Sequence, residues 1–304
     1  MGGVGNVEPT PPPAAEVAVS PELARALVAE QHPDLLAPVQ PVAEGWDNLM
    51  VRLGPELAVR LPRRGLAAEL VEREATWLPL LAPHLPVEVP VPVRRGHPSA
   101  ELGYPFPWTV VRWVAGEAAL TVRTPPDEGT LTDDLAGILL ALGSRPAPTE
   151  APRNPWRGVP LAERSEALLA RIGALSADVD AAEIERSWVR ALGCPPFDGP
   201  LCWVHGDLHP GNLVVRDGRL AGVVDWGDLT AGDPACDLAV AWMLLGPEAR
   251  VRLREALGAD DATWGRARGN ALAHAVAVVA HSDGDPAMAA MGRRTLDAVL
   301  ADDA

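Results

Sequence analysis

Short apolar runs at Val39–Ala43, Leu49–Leu53 and Leu57–Leu61 are parted by Gly45-Trp46-Asp47-Asn48 and by Gly54-Pro55-Glu56. They read as three strands joined by tight turns. Runs at Val91–Arg94 and Thr109–Val114 read as two more strands, flanking a Pro-rich connection. Between the two groups, Leu66, Leu70, Glu74 and Trp77 fall on successive turns of a helix predicted over Ala67–Leu81. A first helix starts at Ser20-Pro21-Glu22, with Ser as the cap and Pro at the first helical position, and runs to Gln31. From Thr132 the period changes to that of an amphipathic helix, with Leu131, Leu135, Ile138, Leu139 and Leu142 on one face. A loop rich in Pro and Arg covers 143–160. Further helices are predicted over Leu161–Leu175, Ala181–Leu192, Leu238–Leu245, Leu257–Val279 and Met288–Leu300. Residues 1–18, rich in Gly, Pro, Ala and Glu, read as a disordered tail.

Strand-like runs return once inside the helical half. Leu201–Val204, Leu213–Val215 and Leu220–Val224 surround the loop His205-Gly206-Asp207-Leu208-His209-Pro210-Gly211-Asn212. Asp217-Gly218 is a hairpin signal, because both residues tolerate positive φ. The hairpin would fold Asp225 back beside Asn212, so that Asp207, Asn212 and Asp225 converge. That trio suits phosphoryl transfer. One carboxylate takes or orients the proton of an attacking hydroxyl, while a second carboxylate and an amide oxygen hold Mg²⁺ against nucleotide phosphates. The step of five from Asp207 to Asn212 equals that of the protein-kinase loop H-R-D-x-x-x-x-N, with Gly206 in place of the Arg. Asp225-Trp226-Gly227 stands where that template has D-F-G. His205 and His209 have the i, i+4 spacing of a zinc helix, but Pro210 and Gly211 argue against a helix there. Asp and Asn also form turns, a reading that Asp225 behind the hairpin weakens.

A kinase also needs a cation on the phosphates, normally a Lys paired with a helix Glu. All 26 basic residues of this chain are Arg. Arg60, on the third predicted strand and fourteen residues before Glu74, is the natural substitute. Glu74 among apolar neighbours wants an internal partner, so Arg60 and Glu74 are expected to pair. Arg52 is the alternative phosphate ligand.

The segments H-G-D-L-H-P-G-N, V-V-D-W-G-D and G-D-P-A-C-D-L-A together resemble the aminoglycoside phosphotransferase family, whose fold is similar to that of protein kinases. The match is strongest over 201–245 and recognisable from Glu44 to Glu117. The resemblance implies an α+β, bilobal fold. A small antiparallel-β lobe would span 19–112 and bind nucleotide, and a mainly helical lobe would span 113–304. It makes the first hairpin a nucleotide cover, where Asp47 and Asn48 present backbone N–H groups to phosphate and Trp46 packs over the nucleotide or plugs the lobe. It makes Arg112, Trp113 and Val114 a hinge, the C=O of Arg112 and N–H of Val114 meeting the purine edge. It makes the helical insertion part of the acceptor wall, with Asp178, Asp180, Glu183 and Glu185 as candidate contacts or plain surface. Asp233 is expected to cap a helix, and Asp237 to tie down the catalytic loop from below.

Composition narrows the rest. A net charge of −15 disfavours nucleic acid as a partner and suits a cationic acceptor. The three cysteines show no metal or C-x-x-C spacing and fit reduced thiols in cytoplasm. No apolar run is long enough for a membrane span. The expected activity is transfer of the γ-phosphoryl group of ATP or GTP, with Mg²⁺, to a hydroxyl of an antibiotic-like small molecule, by a monomer or dimer. A metabolic kinase acting on choline, a sugar or an amino acid is a second reading, and a nucleotide-binding regulator without turnover is a third. A protein kinase is rejected, since no activation segment follows Asp225 before Asp233-Pro234.

Overall fold

A computed structural model of the chain describes residues 15–44, 47–173, 175, 179–281 and 285–302. Trp46, Asp178 and the first fourteen residues of the expected tail lie outside the described residues. The chain forms two compact units. Ala221–Leu229 belongs with Pro12–Gly116, so the N-terminal unit is built from two stretches of chain, where a division at residue 112 implies one.

The N-terminal unit runs α1 (Pro21–Gln31), β1 (Val39–Glu44), β2 (Asn48–Leu53), β3 (Leu57–Pro62), α2 (Gly65–Leu81), β4 (Pro92–Gly96) and β5 (Trp108–Arg112). The five strands form an antiparallel sheet of order β1-β2-β3-β5-β4. The Ser20 hydroxyl accepts the N–H of Leu23 and starts α1 as the sequence predicts. Strand alternation turns Leu49, Val51 and Leu53 inward, where they pack with Ala24, Leu27 and Val28 of α1 and with Val59, Leu61, Trp108 and Val110. On the other face of the sheet lies α2. Its buried stripe is Ala67, Ala68, Val71, Glu74, Ala75, Leu78 and Leu81, while Leu66 is 63% exposed. The stripe is rotated from the predicted Leu66–Leu70–Trp77 face because the small alanines let the helix approach the sheet. β5 stops at Arg112 rather than Val114, with the N–H of Trp113 still reaching the C=O of Glu56 on the neighbouring strand's side.

The C-terminal unit follows with β6 (Glu117–Ala118), α3 (Glu128–Gly143), α4 (Ser165–Ile172), α5 (Ala181–Leu192), β7 (Cys202–Val204) and β8 (Leu213–Arg216), while β9 (Arg219–Val223) begins in it and runs into the stretch from Ala221 that belongs to the N-terminal unit. After β10 (Thr230–Gly232) come α6 (Ala235–Leu238), α7 (Val240–Leu244), α8 (Pro247–Leu257), α9 (Asp261–His281) and α10 (Pro286–Ala301). β8 lies between β6 and β9, and Asp217 and Gly218 both have positive φ at the turn, as a tight hairpin demands. β7 pairs instead with β10. Three predicted helices come out differently. The stretch expected from Leu161 opens with a 3-10 turn over Leu161–Arg164, and the helix proper ends at Ile172. The run to Leu245 is two short helices. The helix expected from Leu257 begins instead at Asp261, because Gly258 closes α8 (Pro247–Leu257), a helix not among those predicted, in the left-handed conformation. No helix of the described residues is long and apolar enough to cross a membrane.

α9 is the hub of this unit and packs on α4, α5, α6 and α10. Its interior carries His274, whose Nε2 is buried without a hydrogen-bond partner. Burial, partly offset by Asp207, pushes the His274 pKa down to about 3. A folded pKa below the unfolded value of about 6.5 means that the unfolded chain binds the extra proton. Stability from this residue is therefore present near neutral pH and is lost as pH falls from about 6.5 towards 3. Urea unfolding should show His274→Phe losing less stability than the wild type between about pH 7.5 and about pH 5, by about 2 kcal/mol at most. Parallel losses in the two proteins would show that His274 is not held neutral.

Candidate active site

The loop after β7 is fixed from beneath. Asp237 is 3% exposed, and its two oxygens accept the N–H groups of His205 (2.7 Å) and Gly206 (3.0 Å). Gly206 has φ +88°, which only glycine adopts readily, and this turn swings Asp207 outward. The N–H of Asp207 donates to Nδ1 of His205, and the N–H of Gly211 donates to Nδ1 of His209. Both rings thus use Nδ1 as a hydrogen-bond acceptor inside the loop, and neither serves a zinc helix. The Asn212 side chain donates through Nδ2 to the backbone C=O of Asp207 at 2.9 Å. This bond fixes the orientation of the amide.

Asp207 is a quarter exposed. Burial opposes its charge, but the Arg157 guanidinium, helped by His209, outweighs burial and holds the carboxyl well below the usual carboxylate range. Arg157 donates to Oδ1 at 2.7 Å, and His209 Nε2 stands 3.6 Å from Oδ2. Neither Arg157 nor His274 is among the predicted site residues. They lie fifty residues before and sixty-seven after Asp207, and no spacing rule connects them to it. The only signal was the Arg-rich character of the loop 143–160.

The second group lies in the N-terminal unit. Arg60 is 7% exposed and donates to Glu74, itself 2% exposed, as the sequence predicts. Arg60 also donates to Oδ1 of Asp225 at 3.2 Å, a contact the sequence analysis did not foresee. Burial opposes the Arg60 charge, and Glu74 and Asp225 together more than compensate. Asp225 is left-handed, with φ 60° and ψ 67°, a conformation that Asp tolerates better than most residues. Fully buried Trp226 anchors the turn by donating Nε1–H to the C=O of Val223. Asp225 keeps 58% of its side chain exposed.

The remaining predicted residues are spread through the same unit. Oδ1 of Asn48 is buried without a partner, and the Asp47 carboxylate accepts from Arg64. Arg112 ends β5 with its N–H donated to Val91, and Val114 is 6% exposed. Trp113 stacks under the Arg52 guanidinium at 4.4 Å. Arg52 donates to the C=O groups of Gly54 and Pro55, so it serves the hairpin turn, whereas Arg60 meets the carboxylates. Of the expected acceptor-wall acids, Asp180 caps α5 by accepting the N–H of Glu183.

No three His, Cys, Asp or Glu side chains among the described residues cluster as a metal site. The donor set expected for Mg²⁺ is smaller, one carboxylate and one amide oxygen. It fits an ion that keeps several waters and binds nucleotide phosphates. Within its own unit the Asn212 amide is oriented by its bond to Asp207, and within the other the Asp225 carboxylate is exposed.

Comparison with known proteins identifies the family and the fold. A profile of the phosphotransferase enzyme family matches residues 38–272. Viomycin phosphotransferase of Streptomyces vinaceus is 30% identical over 284 residues, covering 85% of this chain and 95% of the relative. Aminoglycoside 3'-phosphotransferase of Escherichia coli is 28% identical over 162 residues, 51% of this chain and 59% of that relative's length. Among solved structures, the GDP complex of aminoglycoside 2'-phosphotransferase-IIIa superposes with a TM-score of 0.63 at 19% identity, covering 92% of this chain and 98% of that one. Macrolide 2'-phosphotransferase type I gives 0.64 at 20% identity, covering 93% and 98%. The fold is therefore the kinase-like α+β fold of these enzymes, and the chain belongs to the phosphotransferase enzyme family.

Proposed function

We propose that this protein transfers the γ-phosphoryl group of ATP or GTP to a hydroxyl of a small-molecule antibiotic. The observation that carries the reading is the Asp207 loop. An outward carboxylate sits on a backbone held by Asp237, and an Asn five residues on is locked to the same backbone. Family membership supports it, as do the names of the relatives, which act on viomycin, aminoglycosides and macrolides.

In this reading the acceptor oxygen attacks the γ-phosphorus. The bond from that phosphorus to the bridging oxygen breaks, and the nucleoside diphosphate leaves with the electron pair. The acceptor proton passes to Asp207 or through it to water. Asp207 orients the hydroxyl. Arg60, held by Glu74, faces the α- and β-phosphates, and Asn48 and the segment Arg112-Trp113-Val114 contact the rest of the nucleotide. Asn212 and Asp225 would hold Mg²⁺, which supplies charge neutralisation on the phosphates. The transition state is loose, so positioning and charge carry the catalysis. We assign nucleotide binding to the N-terminal part of the chain, acceptor binding to the helical part, and the activity to the cytoplasm, where ATP and GTP are abundant. A cationic acceptor suits the net charge of −15.

The deciding experiment is Mg²⁺-dependent turnover of ATP and of GTP against a panel of viomycin, kanamycin, gentamicin and a macrolide. Phosphorylation of at least one compound is expected. Nucleotide binding without transfer to any of them, or to water, would leave a regulator in place of an enzyme. Asp207→Ala should lower turnover by about 10²–10⁴-fold while sparing nucleotide affinity. Activity within about threefold of wild type would remove Asp207 from the chemistry.

Arg60 offers a separate check. Arg60→Met should weaken nucleotide binding by about tenfold or more, as loss of a charge-assisted contact does. It should also destabilise the unit, because Glu74 loses its cation inside the protein. Adding Glu74→Leu should restore much of the stability and none of the nucleotide affinity. Calorimetric titration and thermal unfolding of the two variants separate these effects. Undiminished affinity in Arg60→Met would move the phosphate cation elsewhere.

A further inference from the structure

The loop that carries Arg157 is rigidly built. The C=O of Pro152 accepts from the Thr230 hydroxyl (3.0 Å) and from the N–H of Ala231 (2.9 Å). The N–H of Asn154 donates to the Thr230 hydroxyl, and Asn154 Oδ1 accepts the N–H of Trp156. One residue past Arg157, the C=O of Gly158 accepts the N–H of Asp233. A Cβ on Gly232 would stand 2.5 Å from the Gly158 oxygen, so only glycine there permits this approach. Asp233 is itself gripped by Arg266, with Nε to Oδ2 at 2.7 Å, and both residues are 6% exposed. The backbone on both sides of Arg157 is thus fixed to β10 and the start of α6.

From this support Arg157 delivers Nη2 to Oδ1 of Asp207 at 2.7 Å. Each side chain keeps about a quarter of its surface exposed, so the pair is open at one edge. An Arg on a catalytic carboxylate makes it a poorer base. That cost is small where the acceptor proton leaves late in a loose transition state. Orientation is worth more, since a misplacement of about 1 Å can cost about a hundredfold in rate. Arg157 is the shortest side-chain contact of Asp207, at 2.7 Å against 3.6 Å for His209.

Resting on the phosphotransferase reading above, we propose that Arg157 is a positioning residue for the transfer, holding the Asp207 carboxylate in the rotamer that presents it to the acceptor hydroxyl. It acts through Asp207 and does not bind nucleotide.

The test uses the full chain with Mg²⁺ and ATP or GTP, whichever is turned over faster. Water serves as acceptor in one arm, and in the other the panel compound that the wild type phosphorylates. Arg157→Ala should lower kcat in both arms by about 10- to 100-fold, with KM for the nucleotide unchanged. Added guanidinium should restore part of the rate by refilling the vacated place. Arg157→Lys, with a point charge in place of the planar fork, should fall between the two. Arg153→Ala, an exposed residue on the same loop, should match the wild type. A kcat for Arg157→Ala within about threefold of wild type overturns the proposal. So does a loss that appears in nucleotide KM, or one that guanidinium leaves untouched in a protein of wild-type thermal stability. If Arg157→Ala does not fold, Arg157→Lys and Arg157→Gln carry the same comparison. A wild type that turns over no nucleotide in either arm sinks the phosphotransferase reading itself. A wild type with turnover and an indifferent Arg157 sinks only this inference.

Discussion

The loop bearing Asp207 hangs on the buried carboxylate of Asp237. Two consecutive backbone N–H groups, of His205 and Gly206, end on its two oxygens. Leaving a buried donor unpaired costs about 1–3 kcal/mol, and here two donors and a carboxylate are mutually satisfied. Burial raises the Asp237 pKa, while His205 and the two N–H groups favour its charged form. Everything functional in the loop follows from this anchor. Gly206 turns on it, Asp207 emerges from the turn, and the Asp207 C=O is left where Asn212 can take it up. α9, the hub of the helical unit, packs on the short helix that carries Asp237, so the core of the unit also sets the height of the loop.

An all-arginine cation set shapes the other group. A lysine would place one compact charge near Glu74. The planar fork of Arg60 instead sends Nη1 to Glu74 and Nη2 to Asp225. One cation thereby fixes two carboxylates, and Asp225 is held by a contact that a Lys ammonium would make with less directional control. The left-handed backbone at Asp225 and the buried Trp226 beside it complete that geometry.

Much of this was legible because it is local. Ser20 and Pro21 mark the start of α1, Asp217-Gly218 marks the hairpin, and the alternation in β2 marks the sheet face, each through interactions a few residues apart. The pairing of Arg60 with Glu74 was legible for a different reason. A carboxylate on a buried helix face demands a cation, and the sequence offers few inside strands. The failures lie where tertiary packing overrides local pattern. The buried face of α2 runs through Ala67, Ala68, Val71, Glu74, Ala75, Leu78 and Leu81, and leaves Leu66 outside. The break around Ala239 interrupts an apolar run, and the helix expected from Leu257 starts only after the left-handed cap at Gly258. Arg157 and His274 reach Asp207 from fifty or more residues away, and nothing short of the folded chain connects them.

The two carboxylates assigned to chemistry are treated alike. Asp225 is held by an arginine that Glu74 fixes, and Asp207 by an arginine that the loop stitched to Thr230–Asp233 fixes. For Arg60 the guanidinium itself is immobilised by Glu74, and for Arg157 it is the backbone on both sides that is fixed. A mobile cation would have to give up its rotamer freedom, about 2 kcal/mol for an Arg, each time the carboxylate was to be oriented. A cation fixed during folding has no such cost at the moment of reaction. The chain has no lysine, and the guanidinium fork of Arg60 can be held by one group while it holds another.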